Sequence, residues 1–271
     1  MPELPEVETI RRQLANRLPG RRIVSVERSE PFMLRDVSVA KLASSLRGRR
    51  VESVTRRGKF LLLSLEGDLV LTVHLGMTGQ LLLQAEKPSG DHVRFSFILE
   101  GGGSRLVFRD MRKFGRLHLT HGGPAARVEA MGPDAWLGDW TADDLARLLA
   151  RRRAPLKAFL LDQRRLAGVG NIYADEILFE AGLSPLRPAG ALSPGEVGRL
   201  AAAVREKLDE GVRLRGCSIS DYVDVEGRAG GFQGTLKAYG RHGQSCLRCG
   251  ATLVRAIVAG RGTAFCPSCQ H

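Results

Sequence analysis

The chain has 271 residues, of which 43% are hydrophobic, and this length allows two domains with buried cores. Its 41 Lys and Arg residues exceed the 29 Asp and Glu residues and leave a formal net charge of +12, which favours a polyanionic partner because each neutralised phosphate releases counterions. No apolar run approaches the roughly 18 residues of a membrane span, and the N-terminus lacks a signal-peptide pattern, so we expect a cytoplasmic protein.

The first nine residues provide the sharpest chemical hypothesis. If Met1 is removed, Pro2 becomes a terminal secondary amine with the carboxylates of Glu3 and Glu6 nearby. An α-amino group has a pKa of about 7.7–8.0, so part of it is neutral at pH 7 and can attack an electrophilic carbon. The alternative is that Pro2 and Pro5 merely begin a helix, where proline is favoured in the first turn.

The first half of the chain is predicted to be mostly β. The spacing of Val7, Ile10, Leu14 and Leu18 predicts a helix that ends at Pro19 and Gly20. Eight short β-type segments then follow, with a helix at Val39–Leu46 among them: Arg22–Val26, Val51–Thr55, Phe60–Leu65, Leu69–Leu75, Gln80–Gln84, Val93–Leu99, Arg105–Arg109 and Gly115–Thr120. These strands indicate a β-sandwich or a barrel-like pair of sheets.

The second half is predicted to be mostly α. Its four helical segments are Ala142–Ala150, Leu156–Leu161, Asn171–Ala181 and Pro194–Glu210. The stretch from residue 211 to 243 is rich in Gly, Ser and Asp and is expected to be loop-like.

The strongest single motif is a pair of CxxC knuckles near the C-terminus, formed by Cys246, Cys249, Cys266 and Cys269. Four thiolates at this spacing predict a structural Zn²⁺ site, with a redox pair or chance spacing as the alternatives. Two predicted strands, Leu253–Val258 and Gly262–Phe265, place Arg261 at a hairpin tip. There it is either a phosphate ligand or a solvated turn residue. Cys217 lies outside the pattern and is expected to be a small buried or loop residue.

A second motif is a glycine-rich turn, Gly168-Val169-Gly170, that leads directly into the helix beginning at Asn171. Free backbone N–H groups at a helix N-terminus bind anions, and Asn171 is a candidate N-cap and phosphate ligand. Lys157, at the start of the preceding helix, is a candidate for a second cation at that site. A plain helix cap is the alternative for the whole motif.

Three turns in the β half carry candidate ligands or wedges. Lys59 is either a solvated charge or a phosphate ligand, and His74 precedes a glycine-flanked loop that carries Met77. Another loop carries Arg112 and Phe114. Met and Phe on loops often fold back into the core, but such side chains also fill the gap left by an extruded base.

Together these motifs resemble the formamidopyrimidine-DNA glycosylase family of bacterial repair enzymes over essentially the whole chain. The resemblance lies in these stretches: residues 2–9, 57–60, 74–77, 112–115, 168–173 and the cysteine finger. It implies an α+β multidomain fold: an N-terminal catalytic β-sandwich with an N-terminal helix at 1–120, a linker at 121–140, a helix-two-turn-helix domain at 141–240 and a zinc-finger hairpin at 241–271. A loop at 216–231 is expected to cap the lesion.

The resemblance also implies roles for individual residues. Pro2 is the expected nucleophile, Glu3 the acid/base group, Glu6 a positioning group, and Lys59 a ligand of the phosphate near the lesion. The implied DNA contacts are His74, Met77, His92, Arg112, Phe114, Lys157, Asn171 and Arg261. One structural Zn²⁺ is expected, with no catalytic metal or redox cofactor.

The implied activity is base-excision repair of 8-oxoguanine and formamidopyrimidines in duplex DNA, through a Schiff base at Pro2 followed by β,δ-elimination at the abasic site. We expect a monomer that is associated with the bacterial nucleoid and has no membrane partner. Two alternatives stay open. One is an endonuclease VIII-like enzyme for oxidised pyrimidines, against which Leu4 argues because that branch usually has glycine there. The other is a non-catalytic zinc-finger protein that binds damaged DNA.

Overall fold

The structure, a computed structural model, describes residues 2–85, 90 and 92–271. The chain divides into two compact units. Unit 1 contains the described residues up to Ala130 together with Leu214–Gln233, and unit 2 contains Met131–Arg213 and Gly234–His271. The segment 214–233 packs within unit 1, whereas chain order alone placed it with the helical domain.

Unit 1 combines two sheets with helices. Its elements are α1 (Leu4–Ala15), β1 (Ile23–Ser29), β2 (Leu34–Arg35), α2 (Val39–Leu46), β3 (Val51–Arg57), β4 (Phe60–Leu65), β5 (Leu69–His74), β6 (Gln80–Gln84), β7 (Val93–Leu99), β8 (Arg105–Arg109), β9 (Arg116–His121) and α3 (Ala126–Glu129). One sheet has the order β1-β7-β8-β6 and the other β2-β9-β5-β4-β3. The predicted sheet pair is confirmed; β2 and α3 were not predicted, because each has only two to four residues.

The core of unit 1 is built from alternating residues of both sheets and one face of α1. Leu61, Leu71, Phe97 and Phe108 belong to one cluster of side chains that are at most 1% exposed, and α1 adds Ile10 to it. Fully burying a Leu or Phe side chain stabilises the fold by about 1.5–3 kcal/mol relative to leaving it in water. This packing secures α1, and with it the N-terminal residues, against the sheets.

Unit 2 consists of helices and a C-terminal hairpin. Its elements are α4 (Ala142–Leu149), α5 (Leu156–Leu161), α6 (Asn171–Ala181), α7 (Pro194–Arg213), β10 (Val254–Val258) and β11 (Arg261–Phe265). The helices match the prediction closely, and α7 continues one turn beyond the predicted end at Glu210. The hairpin packs on α6 through a small cluster that includes Phe179, Leu253 and Cys266.

No helix among the described residues is long and apolar enough to cross a membrane.

Candidate active site and nucleic-acid interface

The predicted catalytic residues of the N-terminus lie at the buried start of α1. Pro2 is buried, and Glu3 and Glu6 are each 1% exposed. Glu3 is the N-cap of α1, and its backbone N–H donates to Oε2 of Glu6 at 2.6 Å, as in a capping box. Helix-capping chemistry therefore holds two carboxylates next to Pro2. The predicted removal of Met1 lies outside the described residues.

Glu6 also ties α1 to the segment 214–233. Its Oε1 accepts a hydrogen bond from the backbone N–H of Cys217 at 2.7 Å, and its carbonyl oxygen accepts one from the Tyr222 hydroxyl at 3.4 Å. Gly216 has φ +84°, and a Cβ built there would lie 2.8 Å from Cγ of Glu6. Only glycine fits this approach without strain. Cys217 itself is buried, as expected.

A buried ion pair fastens α1 to the turn that carries Lys59. Nε of Arg56 lies 3.0 Å from Oε2 of Glu8, and both side chains are at most 1% exposed. The same guanidinium donates to the carbonyl oxygen of Gly58 at 2.9 Å. Lys59, directly after Gly58, is 6% exposed. The turn is thus held by α1, the element that also carries the predicted nucleophile. Sequence reasoning missed this use of Glu8 and Arg56, because the two partners are 48 residues apart.

His74, at the end of β5, is a neutral donor at physiological pH. Burial and the positive charge of Lys59 lower the pKa of His74 to about 4. Its Nδ1 accepts the backbone N–H of Gly76 at 3.2 Å, so the proton of the neutral ring resides on Nε2. Because Nε2 remains a donor, His74 is suited to bind a phosphate oxygen beside Lys59.

The loops that carry Met77 and Phe114 are locked together. The hydroxyl of Thr78 donates to Asp110 at 2.6 Å and accepts the backbone N–H of Arg112 at 3.0 Å. The other carboxylate oxygen of Asp110 accepts the N–H of Gly115 at 2.7 Å. These bonds join two segments more than 30 residues apart into one rigid support.

The support presents side chains to solvent. Phe114 is 45% exposed, and the guanidinium carbon of Arg112 lies 5.1 Å from its ring centroid. Met77 is half-buried, whereas Met111, which we did not predict, is 56% exposed. His92 is exposed and its carbonyl oxygen accepts the N–H of Asp110 at 2.9 Å, so it lies next to the same loop. An exposed aromatic and methionine on a rigid tip are suited to insert between bases.

In unit 2 the glycine-rich turn forms as predicted, but Gly170, not Asn171, is the N-cap of α6. Asn171 is the first helical residue. Its Nδ2 donates to the carbonyl oxygen of Gly262 at 3.3 Å, and its buried Oδ1 has no hydrogen-bond partner among the described residues. Asn171 therefore links α6 to the hairpin and keeps one polar atom unsatisfied.

Lys157 has a different role from the one predicted. It is 0% exposed, and its Nζ lies 2.7 Å from Oδ1 of Asp175, 2.8 Å from Oγ1 of Thr263 and 3.0 Å from the carbonyl oxygen of Gly262. The ammonium group donates to the Thr263 hydroxyl and the Gly262 carbonyl oxygen and forms an ion pair with Asp175. Lys157 therefore joins α5, α6 and β11, and the structure gives no support to a phosphate contact by this residue.

A cavity of about 330 Å³ lies between the start of α6 and the hairpin. Asn171 and Tyr239 line the cavity. His242 and Arg255 also line it, and neither of these two was predicted from the sequence. Arg255 was missed because it lies in a strand with no motif around it. Asp175 lines the cavity too, and its carboxylate lies 2.7 Å from Nζ of Lys157. With that carboxylate paired, the arginine, the histidine and the amide and hydroxyl groups make a site that fits a phosphate group.

The hairpin presents Arg261 beside its turn. Val258 pairs with Arg261 across a two-residue turn of Ala259 and Gly260, both with positive φ, as type I′ hairpins require. Arg261 is exposed and begins β11, one residue earlier than predicted.

The four cysteines of the two knuckles converge. The Sγ atoms of Cys246, Cys249, Cys266 and Cys269 all lie within 4.8 Å of one another. Zn–S bonds of about 2.3 Å in a tetrahedron place sulfurs about 3.8 Å apart, so this cluster fits a structural thiolate-bound metal.

Comparison with known proteins agrees with this geometry. Three family models match the chain in order: the formamidopyrimidine-DNA glycosylase N-terminal domain at residues 1–117, the H2TH domain of the same family at 131–223, and a zinc finger found in FPG and IleRS at 243–271.

Relatives and solved structures cover the chain end to end. A formamidopyrimidine-DNA glycosylase of Chloroflexus aurantiacus is 44% identical over 272 residues, which is 100% of this chain and 98% of that protein. The crystal structure of the FPG protein of Thermus thermophilus has a TM-score of 0.89 at 44% identity, with 99% and 98% of the two chains covered. A Lactococcus lactis FPG mutant in complex with Fapy-dG containing DNA has a TM-score of 0.91 at 34% identity, with 100% of both chains covered. The chain therefore belongs to the formamidopyrimidine-DNA glycosylase family.

Proposed function

We propose that this protein is a base-excision repair enzyme that removes oxidised purines, including 8-oxoguanine and formamidopyrimidines, from duplex DNA and then cleaves the abasic strand. The observation that carries the proposal is the buried N-terminus of α1, where Pro2 is followed by two carboxylates that are each 1% exposed. A protein that only binds DNA has no need of a free proline terminus at this position. The relatives named formamidopyrimidine-DNA glycosylase support the same activity.

After removal of Met1, the neutral Pro2 nitrogen attacks C1′ of the damaged nucleoside. The bond from C1′ to the base breaks, the base leaves with a proton, and the attached Pro2 nitrogen loses its own proton. Glu3 then transfers a proton to the ring oxygen O4′, the bond from C1′ to O4′ breaks, and the nitrogen lone pair forms an iminium with C1′. The iminium acidifies C2′, so loss of a C2′ proton expels the 3′ phosphate, and a second elimination expels the 5′ phosphate. Glu6 holds the start of α1 in place through Cys217.

The DNA contacts divide by chemistry. Lys59 and His74 of unit 1 hold a phosphate near the lesion, while Asn171, Arg255 and Arg261 of unit 2 bind the backbone elsewhere. Extruding a base costs a few kcal/mol, and stacking of an inserted side chain offsets part of that cost. Met77 and Phe114 supply this stacking, and Arg112 supplies hydrogen-bond donors for the orphan cytosine.

The metal of the cysteine cluster is Zn²⁺ in this proposal. It is bound by the four thiolates, and it provides the cross-link that so short a hairpin needs in order to fold. It takes no part in the chemistry. The enzyme acts as a monomer on the DNA of a bacterial nucleoid.

The test is an incision assay on a panel of duplexes that carry 8-oxoguanine, a formamidopyrimidine, an oxidised pyrimidine or an abasic site. We expect incision at both purine lesions and at the abasic site, with phosphate on both new ends. Incision at the oxidised pyrimidine and the abasic site, but at neither purine lesion, would support the endonuclease VIII-like alternative. Binding of the abasic duplex without incision at any lesion would support a damage-binding protein. Pro2→Gly should impair incision while leaving binding to the abasic duplex largely intact, whereas the matched change Pro19→Gly, at an exposed position after α1, should leave both unchanged.

A further inference from the structure

The outer face of the five-stranded sheet in unit 1 carries basic side chains in register. Residues paired across neighbouring strands point to the same face, and so do residues two apart in one strand. Phe60 pairs with His74 and His74 with Arg116, which places these three in one row. The Phe60 and His74 rings confirm the shared face, with centroids 4.6 Å apart. The opposite face belongs to the core.

A second row lies about 7 Å away on that face, because the next side chain on the same face is two residues along the strand and each residue rises about 3.4 Å. Here Thr72 pairs with His118, and His118 pairs with Arg35 of β2. Arg127 is exposed on α3 (Ala126–Glu129), and its charge acts on both histidines of this face. Its positive charge is among the causes that lower the pKa values of both His74 and His118, after burial, which is the largest cause for each.

Carboxylates do not balance this charge. Among the described residues, Arg35, Arg116 and Arg127 form no ion pair with a carboxylate, whereas many other arginines of unit 1 do. Asp36 is the acidic neighbour of the face; its side chain is 88% exposed, and its carboxylate lies 3.5 Å from Nδ1 of His118. Two carbonyl oxygens, of Lys113 and Gly115, accept bonds from Arg116 and restrain its guanidinium without neutralising it.

Arg35 and Arg116 are diagonal neighbours on this face, because Arg35 pairs with His118 and Arg116 lies two residues before it. Like charges this close on one face of a sheet repel each other. Such an arrangement is compensated when an anion binds, and phosphate suits arginine because the planar guanidinium binds two oxygens at once. The row of His74 and the row of His118 are adjacent, so an anion bound at the second row lies next to the phosphate proposed for Lys59 and His74.

We propose that Arg116, Arg127 and Arg35, with His118, form a second phosphate subsite that binds the next phosphate of the DNA strand held by Lys59 and His74. The subsite rests on the proposed function, since it requires that DNA lies along this face. It extends the backbone contacts of unit 1 beyond the lesion and adds affinity without sequence preference.

The test compares the wild-type protein with Arg116→Gln/Arg127→Gln and with Arg127→Gln alone. The matched control is Arg47→Gln, an exposed arginine at the end of α2, a helix that contacts β1 of the other sheet. Dissociation constants are measured for a duplex with an uncleavable abasic-site analogue across a series of salt concentrations. One phosphate contact contributes about 0.9 to the slope of log K against log salt.

We expect the slope of log K against log salt to be shallower by about 0.9 for the double variant. Over the tenfold range from 1 M to 0.1 M salt, this difference in slope makes its binding roughly eightfold weaker than that of the wild type. Arg47→Gln should match the wild type. Thermal unfolding of each variant establishes that it is folded. If Arg116→Gln prevents folding, the dissociation constants and salt slope of Arg127→Gln alone test the subsite, because Arg127 is exposed and its replacement should leave the fold intact.

A phosphate scan locates the subsite. Neutral methylphosphonates replace single phosphates near the analogue, and we expect one replacement to weaken the wild type roughly eightfold and the double variant less than about twofold. Equal slopes and an identical scan for the two proteins would overturn the subsite. Incision of lesion duplexes by the wild type tests the proposed function separately, so an active enzyme with an unchanged scan refutes the subsite alone.

Discussion

Arg56→Met should destabilise unit 1 and impair incision, because it breaks the buried pair between α1 and the turn of Lys59. In the wild type the Arg56 guanidinium lies 3.0 Å from Glu8 and 2.9 Å from the carbonyl oxygen of Gly58. Methionine fills a similar volume but leaves both acceptors without this donor.

The magnitude follows from what remains around Glu8. Removing one partner of a buried ion pair costs about 3–5 kcal/mol, because the other charge stays buried. Arg11 and Arg12 still lie 2.7 and 2.9 Å from the Glu8 carboxylate, so we expect the low end, about 3 kcal/mol. Glu8→Leu/Arg56→Met should cost less than the two single changes added together. The exposed pair of Arg22 and Glu66 is the control, and Arg22→Met should cost less than about 1 kcal/mol.

Urea unfolding of the four proteins and the control at pH 7 measures these free energies. Burial raises the pKa of Glu8, but hydrogen bonds from Arg11 and Arg56 outweigh it and hold that pKa below 4.5. The pair therefore contributes stability above about pH 4.5 that is lost as the pH falls through the lower, folded value. Arg56→Met should lose less stability over that acidic range than the wild type. Strictly additive single changes, or an equal acid response, would refute this account of the pair.

Three further outcomes are expected. Gly216→Ala should destabilise the protein by about 1–3 kcal/mol and slow incision, because φ is positive at this position and the new Cβ would lie 2.8 Å from Cγ of Glu6. Unfolding midpoints and single-turnover incision rates equal to those of the wild type would contradict this expectation. Cys249→Ser should release most of the zinc, as measured by metal analysis, and weaken DNA binding, as measured by titration. Undiminished affinity for DNA without zinc would contradict the proposed backbone contact of Arg261. His74→Gln should flatten the fall in stability between pH 6.5 and about 4. A histidine whose pKa is lowered to about 4 favours folding above pH 6.5 and loses that contribution as the pH falls. Parallel stability curves for the two proteins would contradict a ring that the fold keeps neutral.

Local patterns predicted much of the fold and part of the site. The spacing of Val7, Ile10 and Leu14 is enough to predict α1, because a helix on the surface of the core must bury one apolar stripe. The two CxxC knuckles are enough to predict the cysteine cluster, because tetrahedral metal coordination by four thiolates requires that spacing.

Contacts between distant segments could not be predicted in this way. Lys157 at a helix start has the pattern of a phosphate ligand, but its partner Thr263 is 106 residues further along the chain. The segment 214–233 was placed with the helices because nothing local indicates that Cys217 meets Glu6, 211 residues earlier. The basic rows on the outer sheet face depend on strand register, which the sequence does not specify alone.

The most direct test of the central claim is borohydride trapping on duplexes that hold one 8-oxoguanine opposite cytosine, with intact mass to establish that the protein begins at Pro2. We expect a covalent adduct that maps to Pro2. Absence of an adduct from protein that begins at Pro2, on purine-lesion and pyrimidine-lesion duplexes alike, would contradict the catalytic role of the N-terminal amine.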